Sequence, residues 1–387
     1  MAGLYIHIPF CASRCIYCGF YSTTSLKLRQ RYVDAVCREI EIRPFPLPEG
    51  MGIDTIYFGG GTPSQLTIAQ LHQIFDAIYK YNKVYPLTPS PLTPEITIEM
   101  NPDDVTEVFA DGLCILPVNR VSMGAQTFDD ERLKWLHRRH TSQQVVEAME
   151  RLRDNGIQNI SIDLMYGFPG ETLDDWQRDI DAALALGAEH ISAYCLSIEE
   201  DTPLWKLRMK NSEIREDEEL ERQMYEVLIE KLTTAGYEHY EISNFAKPGR
   251  RSRHNSSYWQ DIPYIGLGAA AHSYTVPEGS SSETIAFRSW NIADINQYIE
   301  AIEQGKLPSE QEEIDEDTHY NDRITVALRT SDGLDLRTLT ERHRRYCLKE
   351  AQRFLEDGLL KLSDNRLSLT RKGLFVSDYI MSSLVMV

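Results

Sequence analysis

The stretch that decides the fold of this chain is His7-Ile8-Pro9-Phe10-Cys11-Ala12-Ser13-Arg14-Cys15-Ile16-Tyr17-Cys18. Three residues separate Cys11 from Cys15 and two separate Cys15 from Cys18, so one short loop can direct three thiolates to one point. A cubane iron–sulfur cluster takes four ligands, and a loop that supplies three leaves one iron free. We therefore predict a [4Fe–4S] cluster whose open iron binds a substrate or cofactor directly.

Other interpretations of the cysteines are weaker. A zinc site would need a second pair of ligands at matched spacing, and none follows. A disulfide framework does not suit 7 cysteines in 387 residues without a signal peptide at the start. The remaining cysteines are predicted to pack in apolar or helical surroundings, and they are Cys37, Cys114, Cys195 and Cys347.

Composition limits the class of protein. The formal net charge of −19 argues against a general nucleic-acid binder, which would need a basic surface. No apolar run approaches the length that crosses a bilayer. The unpaired cysteines and the absence of an export signal indicate a cytoplasmic protein.

Strand and helix patterns alternate over the first two-thirds of the chain. Strands are predicted at residues 4–8, 54–58, 95–100, 120–123, 159–165 and 190–196, with helices between them. This alternation favours an α/β fold with a parallel sheet and right-handed crossovers. Functional loops gather at the carboxyl ends of such strands, and the cysteine loop follows the first strand.

The chain is predicted to have three parts, namely a barrel at 1–235, a connecting segment at 236–310 and a C-terminal domain at 311–387. A loop is predicted at 241–259 and another at 279–283. Helices predicted at 322–328, 336–344 and 348–356 precede a hairpin, which is typical of a winged-helix-like domain. Because this domain lacks a strong basic excess, we predict that it packs against the barrel or a partner.

The cysteine loop and the run Gly59-Gly60-Gly61-Thr62-Pro63 after the second strand resemble the radical S-adenosylmethionine (SAM) superfamily. The resemblance covers about residues 4–200 and implies an incomplete (β/α)6 barrel. It also implies that SAM binds the open iron of a cluster on Cys11, Cys15 and Cys18. In that superfamily the reduced cluster splits SAM and releases a 5′-deoxyadenosyl radical.

Further motifs resemble the oxygen-independent coproporphyrinogen III oxidase-like family. The resemblance implies that Glu99 binds the ammonium of SAM, Arg138 its carboxylate and Asp163 a ribose hydroxyl. The full set of residues that it places in the SAM pocket is Tyr5, Tyr17, Gly60, Gly61, Thr62, Glu99, Gln126, Arg138, Asp163 and Ser197.

Two departures argue against oxidase activity. Phe20 stands where the oxidases have a fourth cysteine, and the chain lacks their N-terminal extension. A radical SAM enzyme, such as an oxidase of this kind, stays open as the alternative function. No catalytic residue is assigned.

The run His254-Asn255-Ser256-Ser257-Tyr258-Trp259 matches the signature of the HemW branch of this family, which are haem chaperones. The resemblance implies that the chain binds haem and passes it to a haem protein, a respiratory one among the candidates. Haem contacts are expected at His254, Asn255, Tyr258 and Trp259, with Arg250, Arg251 and Arg253 for the propionates.

The sequence leaves several points about haem binding open. The same run could simply anchor a loop to the barrel, and another His or Cys could be the axial ligand. His272 could belong to the haem site, the SAM site or neither. Contact with a membrane surface and a homodimer are compatible with the sequence.

Overall fold

The computed structural model describes residues 2–43, 45, 52–82, 84, 93–211, 214–215, 217–276 and 286–386. Its strands are β1 (Ala2–Ile8), β2 (Ile53–Gly60), β3 (Glu95–Met100), β4 (Arg120–Gln126), β5 (Ile160–Tyr166), β6 (His190–Cys195), β7 (Glu238–Glu241), β8 (Asn244–Ala246), β9 (Tyr264–Leu267), β10 (His272–Thr275), β11 (Ala286–Asn291), β12 (Ser309–Ile314), β13 (Leu334–Asp335), β14 (Leu360–Ser363) and β15 (Arg366–Leu369). The loop predicted at 279–283 lies outside the described residues.

Helices connect most of these strands. They are α1 (Arg29–Ile42), α2 (Ile68–Tyr81), α3 (Glu107–Leu113), α4 (Asp130–Trp135), α5 (Ser142–Asp154), α6 (Leu173–Ala185), α7 (Pro203–Arg208), α8 (Glu218–Thr234), α9 (Arg253–Trp259), α10 (Ile295–Glu303), α11 (Glu316–Ala327), α12 (Glu341–Glu356), α13 (Arg371–Leu374) and α14 (Ser377–Leu384). Among the described helices, none has the length and apolar character needed to cross a bilayer.

One sheet of 12 strands organises the molecule, in the order β12-β11-β10-β9-β1-β2-β3-β4-β5-β6-β8-β7. Strands β1 to β6 are parallel neighbours, and β9 runs parallel beside β1. Its two end strands, β12 and β7, do not pair with each other, so the sheet stays open. This arrangement confirms the predicted α/β fold with an incomplete (β/α)6 barrel.

The strands of the barrel are apolar on one face and polar on the other. In β1, Leu4, Ile6 and Ile8 belong to the main hydrophobic core together with residues of the surrounding helices. Tyr5 and His7 alternate with them and contact each other on the opposite face. The apolar core therefore lies between the sheet and its helices, whereas polar side chains occupy the inside of the barrel.

A buried carboxylate joins the first helix to the strands added beside β1. Glu39 of α1 is fully buried and accepts hydrogen bonds from Gly268 N (2.8 Å), Asn291 Nδ2 (2.8 Å) and Tyr298 Oη (2.6 Å). Arg43 also lies 2.8 Å from it. Each of these donors comes from a different place in the chain, so one side chain fixes several segments at the barrel edge.

The C-terminal helices and the small sheet β13-β15-β14 form a second hydrophobic core of their own. This confirms the predicted winged-helix-like architecture. The domain is connected to the barrel region by the ion pair of Arg329 with Glu241 (2.8 Å) and by a hydrogen bond between His319 and Asp261 (2.7 Å). The boundaries predicted at 235/236 and 310/311 stay predictions.

Two local predictions are wrong. The segment predicted as a loop at 241–259 contains helix α9, because Ser252 and the distant Glu95 accept hydrogen bonds from its first amides. The helix predicted at 336–344 is a 3-10 turn followed by the start of α12, which begins after the N-cap Thr340 and continues through residue 348.

Candidate functional site

The cysteine loop follows β1 and is fixed to the barrel at several backbone positions. Cys11 N donates to Thr23 O (3.0 Å), and Thr23 N donates to Pro9 O (2.7 Å). Ile16 N, in the middle of the loop, donates to Leu136 O (3.3 Å). These hydrogen bonds fix the loop to residues 9 and 23 and to the end of α4.

Donors surround the thiols. Thr62 Oγ1 donates to Cys11 Sγ (3.6 Å) and Arg138 Nη1 to Cys15 Sγ (3.5 Å). Burial raises the pKa of the Cys11 and Cys18 thiols. Hydrogen bonds and a nearby cation are the interactions that stabilise thiolate ligands of a cluster.

The spacing of the sulfurs favours a cluster over a single metal ion. Within the described part of the chain, only Glu316, Asp317 and His343 bring three ligand atoms of His, Cys or carboxylates within 4.8 Å of one another. At least one pair of the three cysteine sulfurs is therefore more than 4.8 Å apart. In a cubane each thiolate binds a different iron, so the cysteine loop fits a [4Fe–4S] cluster.

The glycine turn at the end of β2 packs directly on the end of β1. Gly60 has φ +110°, and a Cβ at this position would lie 2.5 Å from the His7 ring. Gly61 N donates to Ile8 O (2.9 Å). Only glycine fits this close approach, which brings the turn and Thr62 to the cysteine loop.

Glu99 lies beside the glycine turn. It accepts hydrogen bonds from Tyr57 Oη (2.8 Å) and Gly60 N (3.1 Å). Burial raises its pKa to about 7, against the effect of these two donors. A partly exposed carboxylate with donors on one side is suited to an ammonium group on the other.

Arg138 and Gln126 follow the end of β4. Arg138 Nη2 donates to Gly124 O (2.6 Å) and Asn101 Oδ1 (2.8 Å), so the guanidinium bridges two strand ends and Cys15. Gln126 ends β4 with φ +67°, which is unusual for a residue other than glycine. Such strain is typical of functional sites.

The other predicted SAM residues differ in their surroundings. Asp163 accepts a hydrogen bond from Ser122 Oγ (3.2 Å), and burial raises its pKa. Tyr17 packs against a small apolar cluster, and Tyr5 Oη lies 3.2 Å from His7 Nδ1. Ser197 is exposed after β6 and donates to Glu199 (2.5 Å). All ten residues lie on or after strands β1 to β6, and their roles stay predictions.

The structure places His254 inside the barrel. It is 1% exposed, and its ring packs 5.0 Å from that of Tyr57. Its Nδ1 lies 2.8 Å from Thr55 Oγ1, and its Nε2 lies 2.8 Å from Tyr258 Oη. Burial lowers its pKa to about 3, so the imidazole is neutral. Both ring nitrogens are therefore engaged in this conformation.

The other residues predicted to contact haem lie around helix α9. Tyr258 packs edge-on against Tyr264 (4.6 Å), and the ring of Trp259 lies 6.0 Å from that of Tyr240. Asn255 N donates to Ser252 Oγ (3.3 Å), which caps the helix. The helix packs against strands β1 and β2 and helix α11.

The arginines near this helix bind carboxylates of the chain. Arg253 pairs with Asp54 (2.5 Å), and Arg251 pairs with Glu238 (2.9 Å) and Asp332 (3.2 Å). Arg250 and His272 are exposed. Propionates would therefore compete with existing ion pairs at two of the three arginines.

Sequence reasoning missed much of the polar lining of the barrel. Tyr57 Oη donates a hydrogen bond to Glu99, and His7 Nε2 is hydrogen-bonded to Tyr21 O (3.1 Å) at the end of the cysteine loop. The alternation of polar and apolar residues in each barrel strand could have predicted this polar lining. Phe20, in place of a fourth cysteine, is 70% exposed and has no ligand atom.

An open parallel sheet with three cysteines after its first strand defines a radical SAM protein. Residues 5–183 match the family model described as "Radical SAM superfamily", and residues 314–376 match "HemN C-terminal domain". Membership of this superfamily implies a [4Fe–4S] cluster and SAM as cofactors.

The similarity to curated proteins extends over the whole chain. "Heme chaperone HemW" of Bacillus subtilis (strain 168) is 34% identical over 99% of both chains. The protein of that name from Mycobacterium tuberculosis (strain ATCC 25618 / H37Rv) is 31% identical over 99% of this chain and 94% of its own. The chain belongs to the HemW family, as its motifs predict.

A solved structure shows the same fold. Coproporphyrinogen III oxidase (HemN) from Escherichia coli superimposes with a TM-score of 0.82 at 21% identity, covering 100% of this chain and 90% of that chain. At this identity the likeness concerns architecture.

Proposed function

We propose that the chain is a haem chaperone that binds haem and delivers it to haem proteins. The observation that carries the proposal is the full-length similarity to relatives named for this function. The exposed Phe20, where the oxidases have a fourth cysteine, agrees with it.

We further propose that Cys11, Cys15 and Cys18 hold the cluster and that SAM binds beside it. When bound, the cluster and SAM supply one-electron chemistry. Glu99 would bind the ammonium of SAM, Arg138 its carboxylate and Asp163 a ribose hydroxyl. Because Gly60 and Gly61 have no side chains, SAM could approach their backbone closely. The remaining proposed contacts are Tyr5, Tyr17, Thr62, Gln126 and Ser197.

Glu99→Ala is expected to weaken SAM binding by about 1–3 kcal/mol, because a charged hydrogen bond is lost. Since its pKa is about 7, the carboxyl gains a proton as the pH falls through that value, and SAM affinity should fall with it. Calorimetric titration of the anaerobically reconstituted protein measures both effects. Glu107→Ala, on the exposed surface of α3, is the control. Unchanged SAM affinity in Glu99→Ala would remove Glu99 from the site.

The proposed haem site includes His254, Asn255, Tyr258 and Trp259. Because both nitrogens of His254 are hydrogen-bonded, one of these hydrogen bonds must break before this imidazole can bind iron. The proposed partners are a haem-recipient protein, a respiratory one among the candidates, a membrane surface and a second copy of the chain. The proposed location is the cytoplasm.

An optical titration with haem tests the function. We expect a saturable Soret shift at near-equal stoichiometry and transfer of the haem to an apo-haem protein. His254→Gln should alter the Soret spectrum and leave the absorbance of the cluster unchanged. His72→Gln, on the exposed surface of α2, is the matched control. Absence of saturable binding by the wild type would refute the chaperone function.

A parallel assay addresses the enzyme alternative. The reconstituted protein is incubated anaerobically with coproporphyrinogen III, SAM and a reductant. We expect no protoporphyrinogen. Its formation together with released methionine would overturn the proposal of a chaperone without oxidase activity.

A further inference from the structure

A buried arginine lies inside the barrel, and none of the predicted site residues accounts for it. Arg120 is 1% exposed, and its Nε and Nη1 have no hydrogen-bond partner among the described residues. A buried charge is costly unless other charges or hydrogen bonds offset it. The presence of Arg120 therefore suggests a task that outweighs its cost to stability.

The register of the sheet places Arg120 directly beneath the proposed SAM site. On β4, Ser122 pairs with Glu99 of β3 and donates a hydrogen bond to Asp163 of β5. Arg120 is two residues before Ser122 and therefore points to the same side of the sheet. The guanidinium is thus the next inward-facing group below the level of Glu99 and Asp163.

Electrostatics link Arg120 to both carboxyls. Burial raises the pKa of Glu99 and of Asp163, and the positive charge of Arg120 acts against burial at each of them. The second cation nearby, Arg138, is engaged by Gly124 O, Asn101 and Cys15.

The other titratable groups around the two carboxyls carry no compensating positive charge. Burial lowers the pKa of His190 and of His254, so both are neutral. Glu99 and Asp163 also interact with each other and with four tyrosines. Burial raises the pKa of each of these tyrosines, which are Tyr5, Tyr57, Tyr194 and Tyr258.

We propose that Arg120 is a positioning residue that favours the ionised forms of Glu99 and Asp163 for the binding of the SAM ammonium and ribose. This inference rests on the proposed SAM site. An arginine with a purely structural role would stabilise the fold and leave the pH dependence of SAM binding unchanged. The two roles therefore predict different results for neutral replacements.

The test measures SAM affinity as a function of pH in the full-length, reconstituted protein. The neutral variants are Arg120→Gln and Arg120→Met, and Arg120→Lys restores the charge. Thr97→Val is the matched control, because Thr97 pairs with Arg120 in the sheet and its buried hydroxyl has no partner among the described residues. Denaturant unfolding of each variant is measured in parallel.

We expect the neutral variants to bind SAM about fivefold more weakly at pH 7, because a rise of about one unit from a pKa of about 7 lowers the ionised fraction of Glu99 from about one half to about one tenth. The pH midpoint of SAM binding should move upward by the same amount. Arg120→Lys should retain most of the affinity, and Thr97→Val should match the wild type. A loss of SAM affinity in a neutral variant that keeps wild-type folding stability would be due to the lost charge of Arg120.

Two results separate the failure of this inference from the failure of the SAM site. A wild-type pH profile in whichever neutral variant folds would overturn the role of Arg120 while leaving the SAM site intact. If the wild type itself binds no SAM, the SAM site is refuted, and the role of Arg120 is refuted with it.

Discussion

Cys15→Ser is expected to abolish the cluster. A cubane with two remaining cysteines lacks the ligands to hold it, and a serine hydroxyl is a poor replacement for a thiolate. Arg138 would also lose the sulfur to which it donates a hydrogen bond. After anaerobic reconstitution, iron should fall from about four atoms per chain to a small residue, and the brown visible absorbance should disappear.

Cys114→Ser is the matched control for this loss. Cys114 is exposed at the end of α3, where its thiol contacts Asn155 (3.2 Å) rather than the cysteine loop. This variant should retain full iron content. Far-ultraviolet circular dichroism should show that both variants keep the fold. A cluster at wild-type occupancy in Cys15→Ser would contradict the assignment of the loop.

Glu39→Ala is expected to lower the free energy of unfolding by about 3–5 kcal/mol, because it breaks a buried charged network. The truncation removes the acceptor of Tyr298 Oη and Gly268 N and one of the two acceptors of Asn291 Nδ2. Arg43 loses its carboxylate partner at 2.8 Å, and its guanidinium keeps the hydrogen bond to Asn291 Oδ1. Urea unfolding followed by circular dichroism measures the change.

Glu41→Ala provides the comparison for the stability effect, because Glu41 is exposed on the same helix and pairs with Arg38. Its loss should leave the free energy of unfolding close to that of the wild type, because exposed ion pairs contribute little to stability. A Glu39→Ala protein as stable as Glu41→Ala would show that the network does not stabilise the edge of the barrel.

Features set by neighbouring residues could be predicted from the sequence. The spacing of the cysteines, the glycine run and the alternation of strands and helices are all local patterns. They were sufficient for the fold class and for the three proposed cluster ligands. The two-residue period of apolar side chains likewise predicts which side of each strand is apolar.

Features that depend on distant contacts could not be predicted in this way. Helix α9 begins where it does because Glu95, 158 residues earlier, accepts a hydrogen bond from Arg253 N. The burial of His254 follows from this docking, since the helix inserts its first turn against Thr55 and Tyr57. The two-residue period places Arg120 on the polar side of its strand, but nothing local in the sequence shows that its guanidinium is buried there.

The division of the barrel into an apolar outer layer and a polar interior has a consequence for biosynthesis. The contacts that drive folding lie between the strands and the helices, and they do not involve the thiols of Cys11, Cys15 and Cys18. In zinc fingers, by contrast, the metal supplies the folding energy, and the apo protein is unfolded. The hydrophobic core of this protein includes none of the three proposed cluster ligands, so we expect the chain to fold before a cluster is inserted. Cluster insertion would then be a separate step of maturation.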